Sequence, residues 1–269
     1  MTSTRARRSA FRFALLTALT ALAAACTSSG RPDAENRATP SQAVMAALRT
    51  VERSTGEAES ARVRSTTTMG AELSMKCDGT LAWRDGLTGT LTITYTGGTT
   101  AETMRRLGTT SMEARYLPDA YYARMGERFA EKADGKHWIK YAYDDLESLA
   151  GSSGAALADQ MRGTAPHTSV KLLLSSTDVR KVGEETVRGE RTAHYSGTVS
   201  AKGAGSQTVD IWVDDRDLLV KKVEKGHTAT GGKLTQTAFY SDYGVRTTAE
   251  KPPAGDTVDL KDLLEKKGG

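Results

Sequence analysis

The segment "GTLTITYTG" at residues 89–97 alternates without a break: Leu91, Ile93 and Tyr95 fall on one parity, Thr90, Thr92, Thr94 and Thr96 on the other. Side chains of a strand point to opposite faces in turn, so this segment has one apolar face and one hydroxyl face. The same period of two runs through most of the chain and constrains its fold more than any other feature. It is present in "ARVRSTTTM" (61–69) and in "LSMKCDGTLAWR" (73–84), with a bend expected at Asp78–Gly79. It continues in "SMEARYL" (111–117), "AYYARM" (120–125) and "GKHWIKYAY" (135–143). Pro118–Asp119 is a turn dipeptide and predicts a hairpin there. The period returns in "DVRKVGEETVRGERTAHYSGTVSA" (178–201), with a turn around Arg188–Gly189. "SQTVDIWVDDRDLLVKKVEKG" (206–226) predicts a hairpin with an acidic turn at Asp214, Asp215 and Asp217, and "GKLTQTAFYSDYG" (232–244) predicts a last strand.

Helical spacing appears in fewer places. Val44, Leu48 and Val51, with Ala47 beside them, predict a helix that ends near Ser54 because Gly56 follows. Thr39, Pro40 and Gln42 fit a capping box, with Thr39 as N-cap. Between the two strand blocks, "YDDLESLAG", "GAALADQMRG" and "APHTSVKLLLSS" predict three short helices, the last with Pro166 in its first turn. After a Pro/Gly loop at Lys251–Gly255, "DTVDLKDLLEKK" predicts a terminal helix. Short, hairpin-like connections favour a single antiparallel sheet of about nine to eleven strands in an α+β fold. A sheet that large curls because strands twist. The expected architecture is therefore a large curled antiparallel sheet, a half-barrel, with helices covering its concave face.

Such a shape leaves room for a cavity, and apolar ligands need concave apolar surface with few polar groups. The odd-numbered face of the first block offers Leu73, Met75, Leu81, Trp83, Leu91, Ile93 and Tyr95 as lining candidates. Ile211, Val213 and Phe239 are the candidates from the second block. The other reading of the same residues is ordinary packing under the helices. Tyr121, Tyr122, Tyr141 and Tyr143 carry the same two readings, pocket mouth or packing. Cys77 shares the odd face and reads as a small buried apolar group. An unpaired cysteine also admits an intermolecular bond or a reactive thiol.

The N-terminus is of a different kind. A basic "TRARR" precedes the 13-residue apolar run "FALLTALTALAAA", which ends in small residues. This is a secretory signal pattern, and the run is well short of the roughly 20 residues of a spanning helix. Arg7–Arg8 leaves Sec and twin-arginine export both open. Arg5, Arg7, Arg8 and Arg12 account for the whole excess of 37 basic over 33 acidic residues. The remainder is formally neutral, which argues against nucleic-acid binding. Small residues directly before Cys26 resemble a bacterial lipobox, although Ala23 stands where such signals usually carry leucine. The resemblance implies a diacylglycerol on the Cys26 sulfur and Cys26 as the mature amino terminus. Residues 27–39, "TSSGRPDAENRAT", are nearly free of apolar side chains and read as a tether that could extend about 45 Å.

The motifs of catalysis are missing from the sequence: no G-x-S-x-G, no G-x-x-x-x-G-K-[ST], no H-E-x-x-H. His137, His167, His194 and His227 lack metal-ligand spacing and read as surface or strand residues. The acids Asp210, Asp214, Asp215 and Asp217 lack the glycine and distal glutamate of a calcium loop and read as a solvated hairpin turn. No enzyme activity, cofactor or metal is expected.

The phrases "VGEETVRGERTAHYSGTV", "VDIWVDDRDLLVKKVE", "FYSDYG" and "PPAGDTVDL" resemble actinobacterial lipoproteins of the LppX–LprAFG type, relatives in fold of the LolA and LolB lipoprotein carriers. The resemblance spans most of residues 41–265. It implies a half-barrel closed by helices around an apolar cavity that holds a lipid in some members. The expected organisation is a signal peptide at 1–25, a lipidated end and tether at 26–39, a LolA-like domain at 40–265 and a tail at 266–269. The expected partners are the membrane, through the anchor on the outer face, and a lipid or other apolar ligand. The competing expectation is a sensory lipoprotein of the same fold that grips a protein partner and carries no lipid.

Overall fold

In the computed structural model, the described residues are 41–146, 164–201, 205–227 and 231–268. The expected signal peptide, Cys26, the expected tether, "GAALADQMRG" and most of "YDDLESLAG" lie outside them.

Twelve strands form one sheet. The first block supplies β1 (Ser60–Met69), β2 (Leu73–Ala82), β3 (Thr88–Gly97), β4 (Ser111–Tyr116), β5 (Ala120–Arg124) and β6 (Trp138–Ala142). The second supplies β7 (Arg180–Val187), β8 (Glu190–Ala201), β9 (Gly205–Val213), β10 (Leu219–His227) and β11 (Lys233–Ser241), and β12 (Thr257–Asp259) follows. The order is β12-β6-β5-β4-β3-β2-β1-β11-β10-β9-β8-β7. Two meanders thus stand side by side, joined where β1 pairs with β11. The expected curled antiparallel sheet is present with two departures. It has one strand more than the upper expectation, and that strand, β12, runs parallel to β6 with Thr257 opposite Trp138.

Glycines tighten the sheet between β2 and β3. Gly79 lies opposite Leu91, and Gly89 opposite Leu81. A Cβ on Gly79 would fall 2.1 Å from the Thr90 carbonyl oxygen, and one on Gly89 would fall 2.2 Å from that of Thr80. Gly89 also has φ +148°, a conformation only glycine holds without strain. Two backbones can approach there as no side chain would permit.

The concave face is covered by helices α1 (Gln42–Glu57) and α4 (Pro166–Leu174), which also pack on each other. Helix α1 buries Leu48, Val51 and Thr55, as its spacing predicts. Its N-cap is Ser41 rather than Thr39: the Ser41 hydroxyl accepts from the Val44 amide at 3.2 Å. The helix also runs three residues past Ser54. Gly56 does not stop it, and the Gly56 carbonyl accepts from Trp83 Nε1 at 2.9 Å. The chain turns only at Glu59, φ 62°. Two short helices fall where the alternation predicts nothing: α2 (Gly98–Arg106), packed on β2 and β3, and α3 (Glu127–Ala130). The terminal helix α5 spans Leu260–Gly268, so the expected tail at 266–269 is helical through Gly268.

On the convex face, the chain after β11 crosses β3 and β4 to reach the β6 edge. Arg115 Nη1 donates to the Glu250 carbonyl at 2.8 Å on the way. At the other end, Arg188 (φ 52°) and Gly189 (φ 88°) form the two-residue β7–β8 turn, with positive φ at both positions as a type I′ hairpin requires. Strand β7, the outer edge, carries a register shift between Lys181 and Gly183. Among the described residues no helix is long and apolar enough to cross a membrane.

Candidate functional site

Between the concave face and α4 lies a half-open cavity of about 570 Å³. One wall comes from the first meander. Met75 lies opposite Tyr95, and Cys77 opposite Ile93. Ile93 in turn faces Met112, and Tyr116 faces Tyr121. Alternation puts all of these side chains on one face, and all of them line the cavity. The tyrosine rings interlock edge to face, Tyr116–Tyr121 at 5.1 Å and Tyr121–Tyr141 at 5.6 Å between centroids. Burial pushes Tyr95 up to about 12 and Tyr121 well above its ordinary value. These phenols are therefore neutral at physiological pH. Burial likewise raises the Cys77 thiol, the opposite of what activates a nucleophile. Cys77 is half-buried rather than fully buried, because the cavity opens beside it.

The opposite wall is polar and was missed by the sequence reading. It includes Ser65, Gln236 and Tyr240 with Lys222 and Glu224 of β10, and Thr168 and Ser169 of α4. Lys222 Nζ donates to Ser169 Oγ at 2.9 Å and to Glu224 Oε1 at 3.0 Å. Ser169 Oγ donates to Glu224 Oε1 at 3.2 Å. Burial works against the Lys222 charge, but Tyr240 and Glu224 outweigh it and hold the ammonium above its ordinary value. A β-bulge places these charges. The β9–β10 register slips between Leu219 and Lys221, so Val220 is an extra residue and the parity reverses beyond it. Leu219 still faces inward, and after it Lys222 and Glu224 do, opposite Ile211 and Val209.

Of the ten lining candidates, the structure brings Met75, Leu91, Ile93 and Tyr95 together on the cavity. Leu73 is half-buried at the far end of β2, opposite Met69. Leu81, Ile211 and Val213 face inward but are packed in the core with the helices, away from the cavity. Trp83 follows the end of β2 and lies under the C-terminus of α1. Phe239 is on the convex face, because Ala238 and Tyr240 take the inward positions of β11. It packs there with Val187, Trp212, Val220 and Val223, beneath the Arg188 guanidinium at 3.9 Å from its ring centroid.

Two polar groups lie elsewhere. His194 is stacked on Trp212 with centroids 4.2 Å apart, its ring nitrogens 3.0 Å from Glu185 and 2.9 Å from Asp210. Asp210 therefore belongs to this His194 cluster and not to the hairpin turn. Asp214 does hold that turn, accepting from the Arg216 and Leu218 amides at 3.0 and 2.8 Å. Among the described residues no group of His, Cys, Asp and Glu is arranged to hold a metal ion.

No protein-family profile matches the chain. It is 62% identical to a Streptomyces coelicolor protein described as a lipoprotein, over an alignment of 288 positions covering 100% of both chains. It is 48% identical over 250 residues to a 31.2 kDa Streptomyces griseus protein encoded between rplA and rplJ, covering 84% of this chain and 81% of that one. Among solved structures, Mycobacterium bovis LprF matches with a TM-score of 0.51 and 14% identity, over 81% of this chain and 100% of LprF. The lipoprotein LppX of Mycobacterium tuberculosis also matches at 0.51, with 16% identity over 77% of this chain and 98% of LppX. The chain belongs to the family of the Streptomyces coelicolor lipoprotein, and its fold is the LppX–LprF type.

Proposed function

We propose that this protein is anchored to the outer face of the cell membrane through a diacylglycerol on Cys26 and binds an apolar ligand in its sheet–helix cavity, without enzymatic activity. The observation that carries the reading is the cavity itself. Its volume of about 570 Å³ is that of a ligand site, and one wall is Met, Leu, Ile and Tyr with the Cys77 thiol. Core packing normally leaves few voids larger than a water molecule. The raised tyrosines and thiol supply no activated nucleophile in it. Family membership supports the anchor, because the Streptomyces coelicolor relative is described as a lipoprotein. A role gripping a protein partner would call for a broad exposed apolar patch. The large apolar side chains most exposed among the described residues, Val182 and Leu264, stand on β7 and α5.

The test is native mass spectrometry of the protein purified from its own membranes. The expected result is a non-covalent lipid beyond the anchor mass. A protein that leaves its membrane empty and refuses every lipid offered to it would overturn the reading.

A further inference from the structure

We propose that Lys222 and Glu224 form a head-group seat that selects ligands carrying an uncharged donor–acceptor group, in particular a hydroxyl, over carboxylates and phosphates. This rests on the ligand-binding reading above and adds the chemistry of the ligand's polar end.

An ammonium has three N–H donors. Lys222 uses two, one on Ser169 and one on Glu224 Oε1. Glu224 Oε1 accepts twice, from Lys222 and from Ser169. Glu224 Oε2 has no hydrogen-bond partner among the described residues. The pair therefore has one N–H donor and one carboxylate oxygen left over, on a wall shared with Ser65, Gln236 and the Tyr240 phenol and facing apolar side chains. Both side chains are largely buried, with exposures of 11% for Lys222 and 16% for Glu224.

A hydroxyl accepts from the spare N–H and donates to Oε2, so it satisfies both groups at once. A carboxylate or phosphate also accepts from Lys222, but it then stands against Oε2 with like charge, where little water screens the repulsion. The ion pair is already neutral, so it offers an anion no net attraction. A head group with no polar atom leaves donor and acceptor both unpaired, which is costly when buried. The bulge at Val220 is what turns this pair inward. Bulges near functional sites are a recurrent means of re-aiming side chains.

The test uses the full-length protein in detergent, stripped of bound lipid and offered an equimolar mixture of three probes. These are dioleoylglycerol, its O-methyl ether and dioleoyl phosphatidate, with occupancy read by native mass spectrometry. Dioleoylglycerol should be retained at least about tenfold over each of the others, the scale of one buried hydrogen bond left unmade. Replacing both charges, Lys222→Met with Glu224→Met, should flatten that preference to within about twofold while loading continues. Glu224→Gln keeps the size of the side chain and an acceptor for Lys222 and Ser169 but puts an N–H donor where Oε2 accepts, and it carries the test should the double variant misfold. It leaves Lys222 without its counter-charge, and the preference should move towards phosphatidate. Wild-type protein that takes phosphatidate as well as dioleoylglycerol, or better, sinks the head-group proposal and leaves ligand binding standing. Wild-type protein that loads none of the three sinks the head-group proposal, and it overturns the ligand-binding reading as well if the protein also leaves its own membranes empty.

Discussion

Val63 of β1 lies directly opposite Tyr240 of β11, and both side chains are buried in the main core. This pair sits at the join between the two meanders, two strands drawn from opposite ends of the domain. Truncating Val63 to alanine removes two methyl groups from that join. Val63→Ala should lower stability by about 1–3 kcal/mol. Urea unfolding followed by tryptophan fluorescence checks this: the midpoint should fall with an unchanged slope. A changed slope would mean that the meanders unfold separately.

Ile93 stands in the middle of the apolar wall, opposite Cys77 on one side and Met112 on the other. Ile93→Trp should project an indole into the cavity and abolish lipid loading. Extra volume in a filled core costs about 1–3 kcal/mol, but here it enters open space, so the melting temperature should change little. Lipid occupancy by native mass spectrometry and a thermal melt decide the matter together. Full loading of a stably folded Ile93→Trp protein would place the ligand elsewhere.

Cys26→Ser removes the sulfur that would carry the diacylglycerol. Two acyl chains give stable membrane attachment where one is marginal. The variant should be released from membranes or accumulate as uncut precursor, as seen by fractionation and intact mass. Persistence on the membrane at the mature mass would exclude Cys26 as the anchor.

The tyrosine wall gives the fold a characteristic alkaline limit. Burial raises Tyr95 from 10 to about 12, and it raises Tyr121 well above its ordinary value too. Unfolded tyrosines ionise near 10, so above that pH the unfolded chain has lost protons that the folded chain still holds. Stability contributed by these groups is complete below pH 10 and falls as pH rises through the window from 10 to about 12. Absorbance at 295 nm against pH should show a late-ionising class of tyrosines whose titration coincides with loss of near-ultraviolet circular dichroism. A single titration near pH 10 with the fold intact would contradict the buried wall.

The readable part of the site was the part whose alternation is unbroken. Met75, Leu91, Ile93 and Tyr95 have one parity and no glycine slip or bulge between them and their partners across most of β2 and β3, so period alone put them on one face. Phe239 was misplaced because β11 has an aromatic residue on each parity, Phe239 and Tyr240, and composition cannot choose between them. Only the pairing of Tyr240 with Val63 does. Lys222 and Glu224 were illegible for a different reason. In "LLVKKVEKG" they look like a solvated face, and the extra residue Val220 that turns them inward exists only as a mismatch in register with β9. Strand β12 was hidden by its length, three residues leading directly into the apolar spacing of a helix.

The two outer strands bear on how copies of this protein share a surface. Strand β12 is three residues long, and β7 is broken by its register shift and carries Arg180, Lys181, Glu184 and Glu185. Short, kinked and charged strands are poor templates for a second chain to zip onto. With the Cys26 anchor proposed above, copies would share one plane, where molecules diffuse in two dimensions and meet more often than they would in free solution. A flat, apolar outer strand would turn such a lawn into ribbons. With these two borders, neighbours can be packed densely and still slide past one another as separate molecules.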